Sequence, residues 1–254
     1  MTSNNVPWAD TPFTLIPTPG GDEDLAKLDD EVWIAREMAN AHNGMLRALN
    51  SIYQQCIYVK EPKDIKDLLL YADFWCGWIH EHHEGEEKFF FPQAEEITGV
   101  KGLMDVNVGQ HHAFMGGLEK FQRFAKETKV ERYDGSEMRR IIEGFGGELT
   151  KHLTEEIDTL LGLKKYDTVA LRKAFVVFDL EMRKGEKVSQ LFFVLFPIVL
   201  GSSDRSYEDW PELPGPILLL VRYWFERKYQ GVWRFCPSTT WGERRPLLFT
   251  EKSV

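Results

Sequence analysis

Residues Trp78 to Pro92 read WIHEHHEGEEKFFFP. Between His80 and Glu87 three histidines and four glutamates fill eight residues, and three phenylalanines and a proline follow. Such a run is either a solvated charge face or a helix whose inward line carries ligands. Stepping three or four residues at a time separates the two, because side chains at those intervals share one helix face. The line runs Leu68, Ala72, Trp75, Ile79, His82, Glu86, Phe90. Of the seven ionisable residues in the cluster it includes only His82 and Glu86. The phenylalanines are read as core at a helix end, with Pro92 as the stop.

The same period extends outward in both directions. Apolar residues recur at steps of three and four over about 28–58, 63–91, 103–129 and 136–163, the pattern of amphipathic helices. The connectors EPKD, FPQAEEITGVKG and VERYDGS contain the Pro, Gly and Asp that stop or cap helices. Long helices joined by short loops imply antiparallel neighbours, so the sequence predicts an all-α, up-down four-helix bundle over residues 25–164. Residues 1–24 lack periodicity and read as an extended or mobile arm. Residues 165–254 read as a mostly helical and irregular extension, too apolar for a linker and therefore packed on the bundle. Its runs LFFVLFPIVL (191–200) and PILLLVRYWF (216–225) are expected to be buried.

Each bundle helix carries a histidine on its apolar line. The first runs Met38, His42, Met45, Leu49; the third runs Val108, His111, Met115, Leu118; the fourth runs Leu149, His152, Glu156, Leu160. Ligands to one centre must share one level of the bundle. At about 1.5 Å per residue, His82 lies roughly 14 Å before the end of its helix and His111 roughly 12 Å after the start of the next. Counted from the helix ends, His42 and His152 fall at a compatible depth. A buried ionised carboxylate without a partner costs several kcal/mol, so Glu86 and Glu156 need compensation. Four imidazoles and two carboxylates at one level predict a site for one or two transition-metal ions, with His42, His82, Glu86, His111, His152 and Glu156 as ligands. The absence of thiolates from these lines favours iron, with manganese or zinc as alternatives.

His80, His83, Glu84, Glu87, His112 and Glu155 are assigned to solvated or outer flanks. His83 and Glu87, themselves an i, i+4 pair, stand as the alternative ligands. Asn43, Arg47 and Asn50 near His42 either orient ligands from outside or are ordinary surface residues.

A formal net charge of −9 argues against nucleic-acid or membrane-surface binding. The longest apolar runs are about half of the roughly twenty residues that span a bilayer. Three cysteines without CxxC spacing, and a start lacking a secretory pattern, point to the cytoplasm. Phosphate-cradling, nucleophile-elbow and HExxH motifs are absent.

Taken together, AHNGMLRALN, HHEGEEKFFFP, VGQHHAFMGGLEKF and KHLTEEI resemble, in order, the motifs of the hemerythrin family, in its HHE cation-binding branch as found in fungi. The family's His-x3-Glu falls on His82 and Glu86, its first-helix ligand on His42, and its fourth-helix His and carboxylate on His152 and Glu156. Its third-helix His-x3-His runs here from His111 to Met115, which puts a thioether where a second imidazole is expected and implies an open coordination position. The resemblance implies two iron ions that bind dioxygen. It leads to an expected oxidase or oxygenase of a small organic substrate, in fungal secondary metabolism, with a non-catalytic oxygen or iron carrier, store or sensor as the alternative.

Overall fold

The computed structural model describes residues 8–184, 192–205 and 210–251. The architecture is all-α: helices α1 (Asp30–Gln55), α2 (Pro62–Gly85), α3 (Phe91–Thr98), α4 (Asp105–Glu127), α5 (Gly135–Glu143) and α6 (Gly146–Leu161) build the bundle. Beyond it lie α7 (Thr168–Lys184), α8 (Phe192–Ser202), α9 (Gly215–Leu220) and the short α10 (Glu226–Lys228) and α11 (Gln230–Trp233). Among the described residues the nearest approach to a sheet is one isolated antiparallel bridge, Ser238 to Arg244. Around the bundle α1 packs on α2 and α6, and α4 packs on α2 and α6.

Local chemistry sets the helix starts. Pro62 opens α2, where its missing N–H would have had no partner. Asp134 caps α5 by accepting from the backbone N–H groups of Ser136 (2.8 Å) and Glu137 (3.3 Å). Tyr133 then donates its hydroxyl to the Cys56 carbonyl at 2.6 Å, which ties this turn to the end of α1.

The second helix does not stop at Pro92. A π turn over Glu86–Phe90 joins α2 to α3, with the Phe91 N–H bonded to the Glu86 carbonyl, and the helix ends only at Gly99, whose φ of 69° is left-handed. A π turn widens the ladder by one residue, which accommodates the ring and the missing N–H of Pro92. It also lets both Phe90 and Phe91 reach the interior. The fourth helix, expected to be continuous, is broken between α5 and α6 at Gly144–Phe145. The break lets the Phe145 ring enter the core: a Cβ on Gly117 of α4 would lie 2.4 Å from the Phe145 Cβ, so only glycine fits there.

The arm is anchored rather than loose. Asn50 accepts from the Phe13 N–H (2.9 Å) and donates to the Ala9 and Phe13 carbonyls, while Asn43 brackets Ile16 by accepting from its N–H (2.7 Å) and donating to its carbonyl (2.9 Å). Arg47 lies over the Trp8 ring. Asn43 and Asn50 therefore fasten residues 8–16 to the bundle, and Arg47 reaches both Trp8 and the Ser202 carbonyl. Residues 1–7 lie outside the described residues.

In the extension, α7 packs on α1, α2 and α3, α8 packs on α1 and α2, and α11 packs on α2. The run 191–200 forms most of α8, with Val194, Phe196, Ile198 and Leu200 buried; Leu191 is outside the described residues. The run 216–225 departs from expectation. Val221 and Phe225 are buried, but Leu219, Leu220, Tyr223 and Trp224 face outward, Trp224 being 71% exposed. Among the described residues no helix is long and apolar enough to cross a membrane. The three cysteines are free and buried, and burial pushes the Cys56 and Cys236 thiols up to about 11.

Candidate metal centre

The polar cluster lies between two aromatic layers. On one side Trp75, Phe121 and Phe145 pack with ring centroids 5.8–6.2 Å apart. On the other, Phe90 meets Phe175 at 5.4 Å, and Phe91 stacks on His111 at 5.8 Å. Between these layers His42, His82, His83, Glu86, His111, His152 and Glu156 are all buried.

The structure brings the six sequence-predicted residues together and adds a seventh. His83, assigned to a flank but kept as an alternative ligand, is interior. The line through Ile79 continues by three to His82 or by four to His83, and α2 is covered by α4 on one side and by α7 and α8 on another. Both continuations therefore end in the core. His80 is half-buried, and Glu84, Glu87, His112 and Glu155 are exposed, as flank residues. Glu87 does not pair with His83: its Oε1 accepts from His111 Nδ1 at 2.6 Å.

The donor atoms fall into two groups. His83, Glu86, His111 and His152 each present a ligand atom within 4.8 Å of the others, and so do His42, His82 and Glu86. The carboxylates lie between them. Glu86 Oε1 is 2.8 Å from His82 Nε2 and Oε2 is 3.5 Å from His111 Nε2, while Glu156 Oε2 is 3.6 Å from His42 Nε2 and 3.5 Å from His152 Nε2. Each carboxylate thus touches one member of each group.

The outer nitrogens decide what the inner ones offer. Nδ1 of His42 faces the Leu153 carbonyl (2.8 Å), that of His83 the Ile79 carbonyl (2.8 Å), that of His111 the Glu87 carboxylate, and that of His152 the Gln110 side-chain oxygen (3.3 Å). Gln110 is itself held by donating to Glu155 at 2.5 Å. An oxygen acceptor requires the proton on Nδ1, which leaves each Nε2 as a lone pair. Four lone pairs therefore point at one another and at two carboxylates. Nε2 of His83, His111 and His152 and both oxygens of Glu86 and Glu156 have no hydrogen-bond partner. His42 Nε2 and His82 Nε2 lie 3.1 Å apart, where one ring can donate to the other. The remaining acceptors converge without a donor, which is costly in a hydrogen-bonded core and suits a cation, and outward-held Nδ1 protons are the usual support for imidazole ligands.

Burial reinforces this. It pushes His82 down to about 3 and lowers His42, His83, His111 and His152, which favours the neutral imidazole in each. Burial also raises Glu86 and Glu156, each further by a neighbouring carboxylate. Positive charge between the two carboxylates reverses that penalty.

Met115 is half-buried and packs against the apolar core. The fully interior neighbour of His111 at a spacing of four is Asn107, buried with both amide atoms unpaired. Phe114, not Met115, lies against the imidazoles, 5.1 Å from His83 and 5.6 Å from His152 between centroids. The interior polar gap on this helix is thus on the N-terminal side of His111.

The hemerythrin HHE cation binding domain family matches residues 34–163, and the chain belongs to this family of metal-binding helical bundles. The chain is also similar along nearly all its length to the dimeric xanthone biosynthesis cluster protein R11 of Cryptosporiopsis sp. (strain 8999), with 36% identity over 247 residues, 95% of this chain and 93% of that protein. No solved structure gives a significant match. The arm and the extension lie outside the family match, whereas the likeness to the fungal relative covers most of their length.

Proposed function

We propose that the centre holds two iron ions and that the protein uses dioxygen to oxidise a small organic substrate in secondary metabolism. The observation that carries this reading is the convergence of lone pairs. Five histidines in groups of two and three share Glu86 and Glu156, and four of those histidines have their outer protons fixed by acceptors. His42 and His82 would serve one ion, His83, His111 and His152 the other, and the two carboxylates both. A set of nitrogen and oxygen donors without thiolate suits iron.

Iron held there would supply the redox chemistry for dioxygen as oxidant, with the organic substrate as electron donor. The chain's own part is to keep the imidazoles neutral and oriented, to supply two negative charges, and to exclude bulk water behind the Trp75 and Phe90 layers. The fungal relative's name places that protein in a biosynthetic cluster, which supports a catalytic role over oxygen storage.

Metal counting after aerobic and anaerobic purification tests the reading. Two irons per chain are expected, and less than a tenth of an ion of any metal rules out the centre. With iron present, substrate-dependent oxygen consumption supports the oxidase; stable reversible oxygen spectra without turnover identify a carrier.

A further inference from the structure

His82 differs from the other imidazoles in having a window. It is 6% exposed, and it lines a chamber of about 120 Å³ between the bundle and the extension. The chamber walls are mainly apolar, with Met38, Trp78, Phe175, Phe178, Met182 and Trp210 prominent and Glu81 also lining them. Phe178 faces His82 with 6.3 Å between ring centroids. An apolar cavity of about 150 Å³ lined by aliphatic and aromatic side chains is known to take up benzene. The chamber therefore fits one planar ring.

The walls are fixed from outside. The Trp210 indole N–H donates to Glu37 at 3.2 Å. Gly44 lets Trp78 lie flush on α1, since a Cβ there would stand 3.0 Å from Trp78 Cη2. Gly85 admits Met182 and Phe178, because a Cβ there would stand 2.2 Å from the Met182 sulfur.

The chamber is not sealed. It shares Glu37, Phe175, Asp179, Arg183, Pro211 and Leu213 with an outer groove of about 890 Å³. The rim is polar and held in place, with Arg183 paired to Asp179 at 2.7 Å and donating to the Glu212 carbonyl at 2.7 Å. A ligand matching both parts has an apolar planar ring for the chamber and a larger polar remainder for the groove.

We infer that this chamber is the organic substrate site, and that it takes a planar aromatic small molecule whose ring lies beside His82 and whose polar portion lies along the Arg183 rim. Its placement next to the chemistry rests on the proposed role of His82 as a metal ligand. The walls contributed by α7, α8 and Trp210 give the extension a purpose that the bundle alone does not supply.

The probe is phenol, titrated by calorimetry into the full chain, metal-free and cobalt(II)-loaded. Saturable binding at one per chain is expected. Val199→Phe, which fills the chamber from α8, should weaken it at least tenfold, as should Leu213→Trp at the mouth, with melting temperature and metal content unchanged. In the cobalt-loaded chain the phenol proton resonances should broaden, and in the metal-free chain they should not. Absence of saturable binding, affinity equal to the parent's in both variants, or binding without broadening in a chain that holds cobalt each overturns the inference. A chain that retains no metal but binds phenol in a Val199→Phe-sensitive manner removes the metal reading and leaves the aromatic site standing.

Discussion

His111 and Glu87 come from different helices, yet His111 Nδ1 donates to Glu87 Oε1 across 2.6 Å, with the imidazole buried and the carboxylate at the surface. This bond fixes the tautomer that turns Nε2 toward Glu86. Glu87→Ala is expected to lower metal affinity by about 10–100-fold, the usual consequence of losing such a support, with little change in the stability of the metal-free chain. Glu87→Gln keeps an acceptor and should lose less. Competition against a chelator measures both, and equal affinity for all three proteins would remove Glu87 from the centre.

Asn107 gives a second test on the same helix. Its amide is buried and unpaired one turn before His111, whereas Met115, one turn after, is half-buried among apolar side chains. Asn107→His should add an imidazole to the group containing His83 and slow metal loss to a chelator by tenfold or more. Met115→His should leave the rate unchanged. The reverse result would restore the open position to the Met115 side.

The bundle and most of this centre were legible in the sequence because both follow from helical period and rise. His42, His82, Glu86, His111, His152 and Glu156 lie on apolar lines of period 3.6, and counting the rise per residue from the helix ends places them at one depth. His83 was ranked only as an alternative ligand because the step rule presumes one buried face, whereas α2 packs against α4 and also against α7 and α8. Pro92 misled because a proline stop presumes an α ladder, and the π turn over Glu86–Phe90 relaxes it. Asn43 and Asn50 were opaque for another reason. Their partners lie 27 to 41 residues away, and no local pattern reports a side chain that hydrogen-bonds a distant strand of coil.

Glu156 carries a prediction about stability with opposite signs for the two forms of the protein. Its carboxyl is fully buried, near His42 and His152, and both oxygens lack a hydrogen-bond donor. Glu156→Leu should stabilise the metal-free chain by about 1–4 kcal/mol, as exchange of a buried ionisable group for an apolar one often does. In a chain of this size that is about 2–4 °C of melting temperature per kcal/mol. The same substitution should abolish the rise in melting temperature on adding iron. A metal-free variant less stable than the parent would show that Glu156 is satisfied without a cation.

Gly85 links the bundle to the chamber wall. A Cβ at this position would stand 2.2 Å from the Met182 sulfur and 3.2 Å from Phe178 Cε2. Gly85→Ala should therefore push α7 away from α2 and cost about 1–3 kcal/mol in denaturant unfolding, despite alanine's better helix propensity. Gly116→Ala on α4, where a Cβ meets nothing within 4 Å, is the control and should be neutral or stabilising by up to about 1 kcal/mol.

Asn50 separates anchoring from ligand support. Its side chain makes three hydrogen bonds to the backbone of Ala9 and Phe13, and none to a histidine. Removing it leaves part-buried backbone groups unpaired, at about 1–3 kcal/mol. Asn50→Ala should release the arm, seen as rapid proteolytic cleavage within residues 8–16, while metal content and chelator resistance stay at the parent's values. Were Asn50 instead a support for His42, metal would be lost before the arm became cleavable. The order of the two events on raising temperature therefore decides between them: cleavage first assigns Asn50 to the arm, and metal loss first assigns it to the centre.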